Sequence, residues 1–97
     1  MRVDWDGREA TSNPFKHRVS FKDAITAFDD PFALMAPAPN HSTASEERRW
    51  LIGESDIGVV VVVFTVRQPD NIYRVITARR AGRKERSRDE EAKSVPL

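Results

Sequence analysis

The feature that most constrains the fold is a run of β-branched residues over positions 59–66. Every position except Phe64 carries valine or threonine, residue types that favour extended backbone. A strand with one face in water alternates polar and apolar residues, so this run predicts a strand that is buried on both faces. It is far shorter than the roughly 20 residues that a membrane-spanning helix requires, and we expect no membrane association.

Apolar segments on either side of this run predict neighbouring strands. Residues 49–52 precede it across a turn at 55–58, and residues 72–78 follow it after a turn at 68–71. Connections this short favour an antiparallel arrangement. Weaker strand signals occur near the start, where residues 2–6 alternate polar and apolar side chains, and over residues 32–36.

Two helices are predicted in the N-terminal third. Residues 7–13 can form a short helix that Pro14 would end, because proline lacks a backbone N–H. Ser20 and Asp23 have the spacing of a capping box. The apolar face of the helix that follows consists of Phe21, Ala24, Ile25 and Phe28. From Arg80 onward the chain is polar on all sides, so a C-terminal helix would be exposed, frayed or held by a partner.

The size and composition predict a single domain without structural cross-links. The chain of 97 residues suits one compact domain, which we place at residues 1–88, with a polar tail at 89–97 that is disordered or partner-bound. The absence of cysteine excludes disulfides and thiolate zinc sites and suits a reducing cytoplasm. The two histidines give no metal-binding pattern, and we expect no metal and no cofactor.

The charge is unevenly distributed along the chain. The formal net charge is only +1, yet residues 67–88 contain eight arginines and lysines against two acidic residues, a local charge of +6. A polyanion is the natural partner of such a segment.

Three blocks of residues together resemble the BrnT toxin family. The first contains Trp5, Asn13, Lys16, His17, residues 19–21, Ala24, Phe28, Asp30 and Pro31. The second contains His41, Ser42, residues 46–48, Trp50, Gly53, Ser55 and Gly58. The third contains residues 61–63, Thr65, residues 74–76, Ala78, Arg79, Glu85 and Arg86. The chain departs from the family pattern at Arg18, which replaces a glycine, at Asp89, which replaces a frequent tyrosine, and at Asn13-Pro14, within a stretch that is usually helical.

The resemblance implies an α+β fold of the RelE type: a mostly antiparallel sheet with two N-terminal helices on one face and a possible C-terminal helix. It implies a toxin of a type II toxin–antitoxin system that cleaves RNA and inhibits translation. It also implies a BrnA-like antitoxin with a ribbon-helix-helix domain, and contact with operator DNA only through the complex of the two proteins.

RNA cleavage without a metal requires a proton acceptor, a proton donor and a cationic clamp for the phosphorane. Arg74 and Arg79 are the candidate clamp, and His41 and Glu47 are the candidates for proton transfer. On an ideal strand Arg74 shares a face with Ile76 and Ala78, so it needs an anion nearby. The structural alternative is an ion pair with Glu46 or Glu47, while Glu47 itself has Arg48 and Arg49 as neighbours.

Further residues are candidates for binding RNA: Lys16, His17, Arg48, Trp50, Arg80 and Arg83. Trp50 could stack on a base, although core packing is the more common role of an aromatic residue. The basic side chains could instead be ordinary solvated charges. The resemblance, together with these candidate residues, implies a metal-independent endoribonuclease that acts in the cytoplasm. The alternatives are a non-catalytic module that binds nucleic acid or protein through residues 67–88, and a purely structural interaction domain.

Overall fold

The computed structural model describes residues 2–38, 47–67 and 69–94. Within them the chain forms five strands, three α-helices and one 3-10 turn. In chain order these are β1 (Arg2–Trp5), α1 (Gly7–His17), α2 (Phe21–Ala24), the 3-10 turn (Ile25–Asp29), β2 (Leu34–Pro37), β3 (Arg48–Ser55), β4 (Gly58–Arg67), β5 (Ile72–Arg80) and α3 (Arg83–Lys93). The predicted α+β class is confirmed.

The described strands form one sheet in the order β1-β5-β4-β3-β2. The predicted antiparallel meander of β3, β4 and β5 is confirmed, and β2 also runs antiparallel to β3. β1 is the exception, since it pairs in parallel with β5. The valine strand β4 is central, and its residues 60–65 are all buried, as the unbroken apolar run predicts.

One face of the sheet carries the main core. Val60, Val62 and Phe64 of β4 pack there against Phe21 and Ala24 of α2. The Ser20 side chain accepts a hydrogen bond from the Asp23 N–H and caps α2, which confirms the predicted helix start. The predicted amphipathic helix is α-helical only as far as Ala24. It then continues as a 3-10 turn, which is wound more tightly than an α-helix.

The prediction that Pro14 ends the first helix is wrong, because α1 continues to His17. Asn13, the residue before Pro14, is buried and joins this part of α1 to the sheet through hydrogen bonds. Its amide group donates to the Ala78 carbonyl at 2.8 Å and accepts from the Ala78 N–H at 3.1 Å. β1 pairs with β5 only as far as Val75. Beyond that point the Asn13 side chain makes the hydrogen bonds to the β5 backbone that a neighbouring strand would make. These long-range bonds stabilise the helix across the proline.

A β-bulge lies between Val63 and Phe64 and their partners on β5. Val63 pairs with Thr77 and Phe64 with Val75, which leaves Ile76 as the additional residue. Because a bulge shifts the alternation of side chains by one residue, Val75 and Ala78 both enter the core. The expectation that Arg74 shares a face with Ala78 is therefore wrong, and Arg74 lies on the opposite face.

The C-terminal helix α3 extends through Lys93, so the expected boundary at residue 88 falls inside it. The Asp89 carboxylate is fully buried and lies 2.8 Å from Lys93 Nζ, which also contacts Glu54 of β3 at 2.5 Å.

The strand bounds also differ slightly from the prediction, since β2 begins at Leu34 and β5 continues to Arg80. In the part of the chain that the structure describes, no helix has the length and hydropathy to cross a membrane.

Candidate functional site

A cavity of about 390 Å³ opens between α3 and the sheet face opposite the main core. Strands β3, β4 and β5 supply its floor and one wall, α3 supplies the facing wall, and the end of α1 closes one side. The lining side chains are those of His17, Trp50, Ile52, Val61, Val63, Thr77, Arg79, Glu85 and Arg88.

The alternation of side chains along β4 explains why this cavity has an apolar floor. Val60, Val62 and Phe64 point into the main core, so Val61 and Val63 project from the other face. Trp50 and Val63 are cross-strand partners, as are Ile52 and Val61. The valine run that makes β4 central therefore also supplies the apolar base of the cavity.

Arg79 and Glu85 form a two-pronged ion pair at the cavity. Arg79 Nη1 donates to Glu85 Oε1 at 2.7 Å, and Nη2 donates to Oε2 at 2.6 Å. Glu85 is the third residue of α3, and its Oε1 also accepts the N–H of Gly82 at 2.7 Å, the half of a capping box that a glycine at the N-cap allows. The carboxylate is therefore fixed by the backbone as well as by the arginine.

The electrostatics of this pair keep both groups charged. The hydrogen bond from Arg79 lowers the pKa of Glu85, and the bond from Gly82 and the charge of Arg88 lower it further. The hydrogen bond to Glu85 raises the pKa of Arg79 in turn. Arg88 follows Glu85 by one helical turn, and His17 is the last residue of α1. The cavity thus combines an apolar floor with two arginines, one imidazole and one ionised carboxylate.

Three of the residues predicted from the sequence line this cavity: Arg79, His17 and Trp50. Lys16 lies next to His17 in α1, and Arg48 begins β3 on the same sheet face as Trp50. Arg83 begins α3 and is exposed. Arg80 donates to the Ile57 carbonyl at 2.7 Å and so supports the turn between β3 and β4.

Arg74 lies on the sheet face of the cavity but does not line it. Its Nε donates to the carboxylate of Asp4, its register partner on β1, at 3.0 Å, and this bond raises the pKa of Arg74. The anticipated ion pair between Arg74 and Glu47 is wrong, because Glu47 is exposed and lies 3.5 Å from Arg49 Nε. The alternative partner Glu46 and the candidate His41 lie outside the described residues.

Sequence reasoning missed Glu85, Arg88 and Thr77. The sequence carries one signal for Glu85, because a glutamate three residues after a helix N-cap can accept the N–H of the N-cap residue, here Gly82. Arg88 is one of eight basic residues in the segment 67–88, and nothing else in the sequence distinguishes it. Within the described residues, no three His, Asp or Glu side chains form a cluster that could hold a metal ion.

A known protein family matches most of this chain. The family described as "Ribonuclease toxin, BrnT, of type II toxin-antitoxin system" matches residues 5–85, from the last residue of β1 to the third residue of α3. The match includes Arg79 and Glu85 but ends before Arg88. A search of curated proteins finds no match. Because the family match covers most of the chain, this protein belongs to the BrnT family of ribonuclease toxins of type II toxin–antitoxin systems.

Proposed function

We propose that this chain is a metal-independent endoribonuclease that binds RNA in the cavity beneath α3 and inhibits translation by cutting RNA. The observation that carries the proposal is the position of Arg79. Its guanidinium already makes a two-pronged contact with a carboxylate, and it does so at the edge of an apolar, aromatic floor. A phosphate group offers the same pair of oxygens to an arginine, and bases stack on tryptophan.

The proposed reaction uses the nucleophile that RNA itself carries. The 2′-hydroxyl oxygen forms a bond to the adjacent phosphorus and loses its proton to a base. The bond from phosphorus to the 5′-oxygen breaks, and that oxygen takes a proton from an acid. The products are a 2′,3′-cyclic phosphate and a 5′-hydroxyl. The charge that develops on the phosphate oxygens is what Arg79 would stabilise.

Arg88 and His17 complete the proposed machinery. Arg88 brings a second cation to the cavity wall, where a neighbouring phosphate of the RNA strand would lie. His17 supplies an imidazole, the side chain type best suited to proton transfer near neutral pH. We retain His41 and Glu47 as further candidates for proton transfer and Arg74 as a candidate phosphate contact outside the cavity.

We infer that a BrnA-like antitoxin with a ribbon-helix-helix domain neutralises the chain and that only their complex contacts operator DNA. The support for this inference is the match to a type II toxin–antitoxin family. The antitoxin is expected to cover the basic residues of β5 and α3, which also attract RNA, and both partners would meet the chain in the cytoplasm. The affinity of the chain for the antitoxin and its affinity for RNA should therefore both fall as the salt concentration rises.

The experiment that tests this function compares two arginine substitutions in purified protein without antitoxin. Arg79→Ala removes the guanidinium at the cavity, whereas Arg86→Ala removes an exposed charge from α3 away from it. We expect Arg79→Ala to lower the rate of RNA cleavage by about 10²–10³-fold, since that is the typical cost of one transition-state donor. Arg86→Ala should retain most of the activity, and Arg79→Lys should not restore it fully, because an ammonium lacks the planar fork.

Cleavage by a folded Arg79→Ala variant at the rate of wild type would contradict the assignment. Binding of RNA by wild type without any cleavage would instead favour the non-catalytic binding module.

A further inference from the structure

We propose that the cavity selects guanine and that Glu85 is the residue that reads the base. This inference rests on the proposed function, in that it takes the cavity as the RNA site. In the free protein, the two oxygens of Glu85 accept two parallel N–H groups from Arg79. The bound base would take the place of that guanidinium on the carboxylate.

Among the four bases, only guanine carries two adjacent donors, N1–H and the N2 amino group, that can meet both oxygens of one carboxylate. Adenine and cytosine place a ring-nitrogen acceptor beside their amino donor, and uracil places its single N–H between two carbonyl oxygens. An ionised carboxylate is purely an acceptor. A contact that satisfies both Glu85 oxygens is therefore available to guanine alone, while the other bases would leave an oxygen unpaired or opposed by an acceptor.

The Glu85 carboxylate is held in place independently of Arg79. Gly82 donates its backbone N–H to Oε1 at 2.7 Å, and Glu85 sits in the first turn of α3, whose other end is held to β3 by the ion pair of Lys93 with Glu54. When a base displaces Arg79, the carboxylate does not have to reorganise. Preorganised acceptors of this kind discriminate between bases better than mobile ones, because no ordering cost offsets the contact.

The floor of the cavity suits a base that has left its stack. Trp50, Ile52 and Val63 form an apolar surface on the sheet, and the volume of about 390 Å³ falls within the range of small-molecule sites, roughly 300–1,000 Å³. RNA-binding proteins commonly read bases that are unstacked and placed on aromatic side chains. The substrate is therefore a single-stranded region with an accessible guanine.

Recognition of guanine would also release the catalytic arginine. Arg79 cannot hold Glu85 and clamp a phosphate with the same two nitrogens. A guanine bound to Glu85 frees these nitrogens for the neighbouring phosphate, whereas other bases leave the ion pair intact. Base recognition and phosphate binding are thus coupled through one side chain.

The test combines binding and cleavage by the full chain. Binding of guanosine 3′,5′-bisphosphate and adenosine 3′,5′-bisphosphate is measured by calorimetry, since these probes carry phosphates on both sides of the base. Cleavage is measured on two oligoribonucleotides of uridine that differ only in one central guanosine or adenosine. The variant is Glu85→Gln, whose amide oxygen still accepts from Gly82. The control is Glu91→Gln, the same change at an exposed position of α3.

We expect wild type and Glu91→Gln to prefer guanine by about ten- to hundredfold in both assays, the discrimination that a two-bond contact typically provides. Glu85→Gln should lose this preference and favour adenine, because an amide offers one acceptor and one donor, which match the adenine N6 amino group and N1. Folding of each variant is checked by circular dichroism.

Equal or absent binding of the two nucleotides by wild type would overturn the inference, as would a guanine preference that Glu85→Gln retains. Cleavage without base preference would overturn the inference and leave the proposed function standing. Selective binding of the guanine nucleotide without cleavage of either RNA would support the inference and contradict the proposed function.

Discussion

Arg18 occupies a left-handed backbone conformation at the end of α1, with φ 56° and ψ 31°. Its N–H donates to the Pro14 carbonyl at 2.8 Å and closes the helix. Glycine is the usual residue in this conformation, because a Cβ atom crowds the backbone there. The glycine that the BrnT resemblance leads one to expect at this position therefore has a physical reason, and this chain carries the strain of an arginine instead.

Arg18→Gly should raise the free energy of unfolding by about 0.5–1 kcal/mol, since relief of the left-handed strain exceeds the greater freedom of glycine in the unfolded chain. Arg18→Ala is the matched control, because it removes the same charge but keeps a Cβ atom. Urea denaturation measures both. A glycine variant no more stable than the alanine variant would show that the backbone at residue 18 is not strained.

Helix α3 packs on the sheet although it has no large apolar residues. One end is attached by the pair of Glu85 with Arg79, and the other by Lys93, which contacts both Glu54 and the buried Asp89. The pKa of Lys93 is raised by its hydrogen bond with Asp89 and further by Glu54. The attachment of α3 is therefore electrostatic and depends on ionised carboxylates.

The attachment through Glu85 should weaken in acid. Because the folded state lowers the pKa of Glu85, the stabilisation is fully present above the unfolded pKa of roughly 4.5 and is lost as the pH falls through the folded value. In urea denaturation at pH 7 and at successively lower pH, wild type should lose more stability below pH ~5 than Glu85→Gln. Glu91→Gln should follow wild type, and parallel curves for wild type and Glu85→Gln would argue against this linkage.

The elements that the sequence predicts well are those whose signal is local. The meander of β3, β4 and β5 follows from β-branched runs separated by short turns, and the α2 cap follows from Ser20 and Asp23. The parallel pairing of β1 with β5 joins segments about 70 residues apart, and no local pattern encodes it. The continuation of α1 past Pro14 likewise depends on the bonds from Asn13 to Ala78.

The candidate site was predictable only in part for the same reason. The clustering of arginines near the end of the chain is visible in the sequence, but the bulge at Ile76, which places Arg74 and Arg79 on the same face of the sheet, is not. Arg79 lines the cavity, whereas Arg74 contacts Asp4 on a strand from the other end of the chain. The position of α3 on the sheet determines which carboxylate faces Arg79. Because α3 is polar on all sides, the sequence has no amphipathic pattern that would indicate this position.

The two faces of the central sheet have different roles in this molecule. One face buries the main core against α2 and the 3-10 turn, and the other face carries the cavity with its two arginines and its carboxylate. The same strand, β4, serves both faces through alternate valines. The membership in the BrnT family and the composition of this cavity together support the proposed cleavage of RNA through its own 2′-hydroxyl.

The decisive measurement is cleavage of one oligoribonucleotide and of its counterpart with a single 2′-deoxy substitution at the scissile nucleotide, each with and without EDTA. We predict that the unsubstituted RNA is cut at the same rate with and without EDTA and yields a 2′,3′-cyclic phosphate, while the 2′-deoxy substrate is not cut at that position. Efficient cleavage of the 2′-deoxy substrate, or cleavage that requires a divalent metal ion, would show that the 2′-hydroxyl is not the nucleophile or that the reaction is not metal-independent.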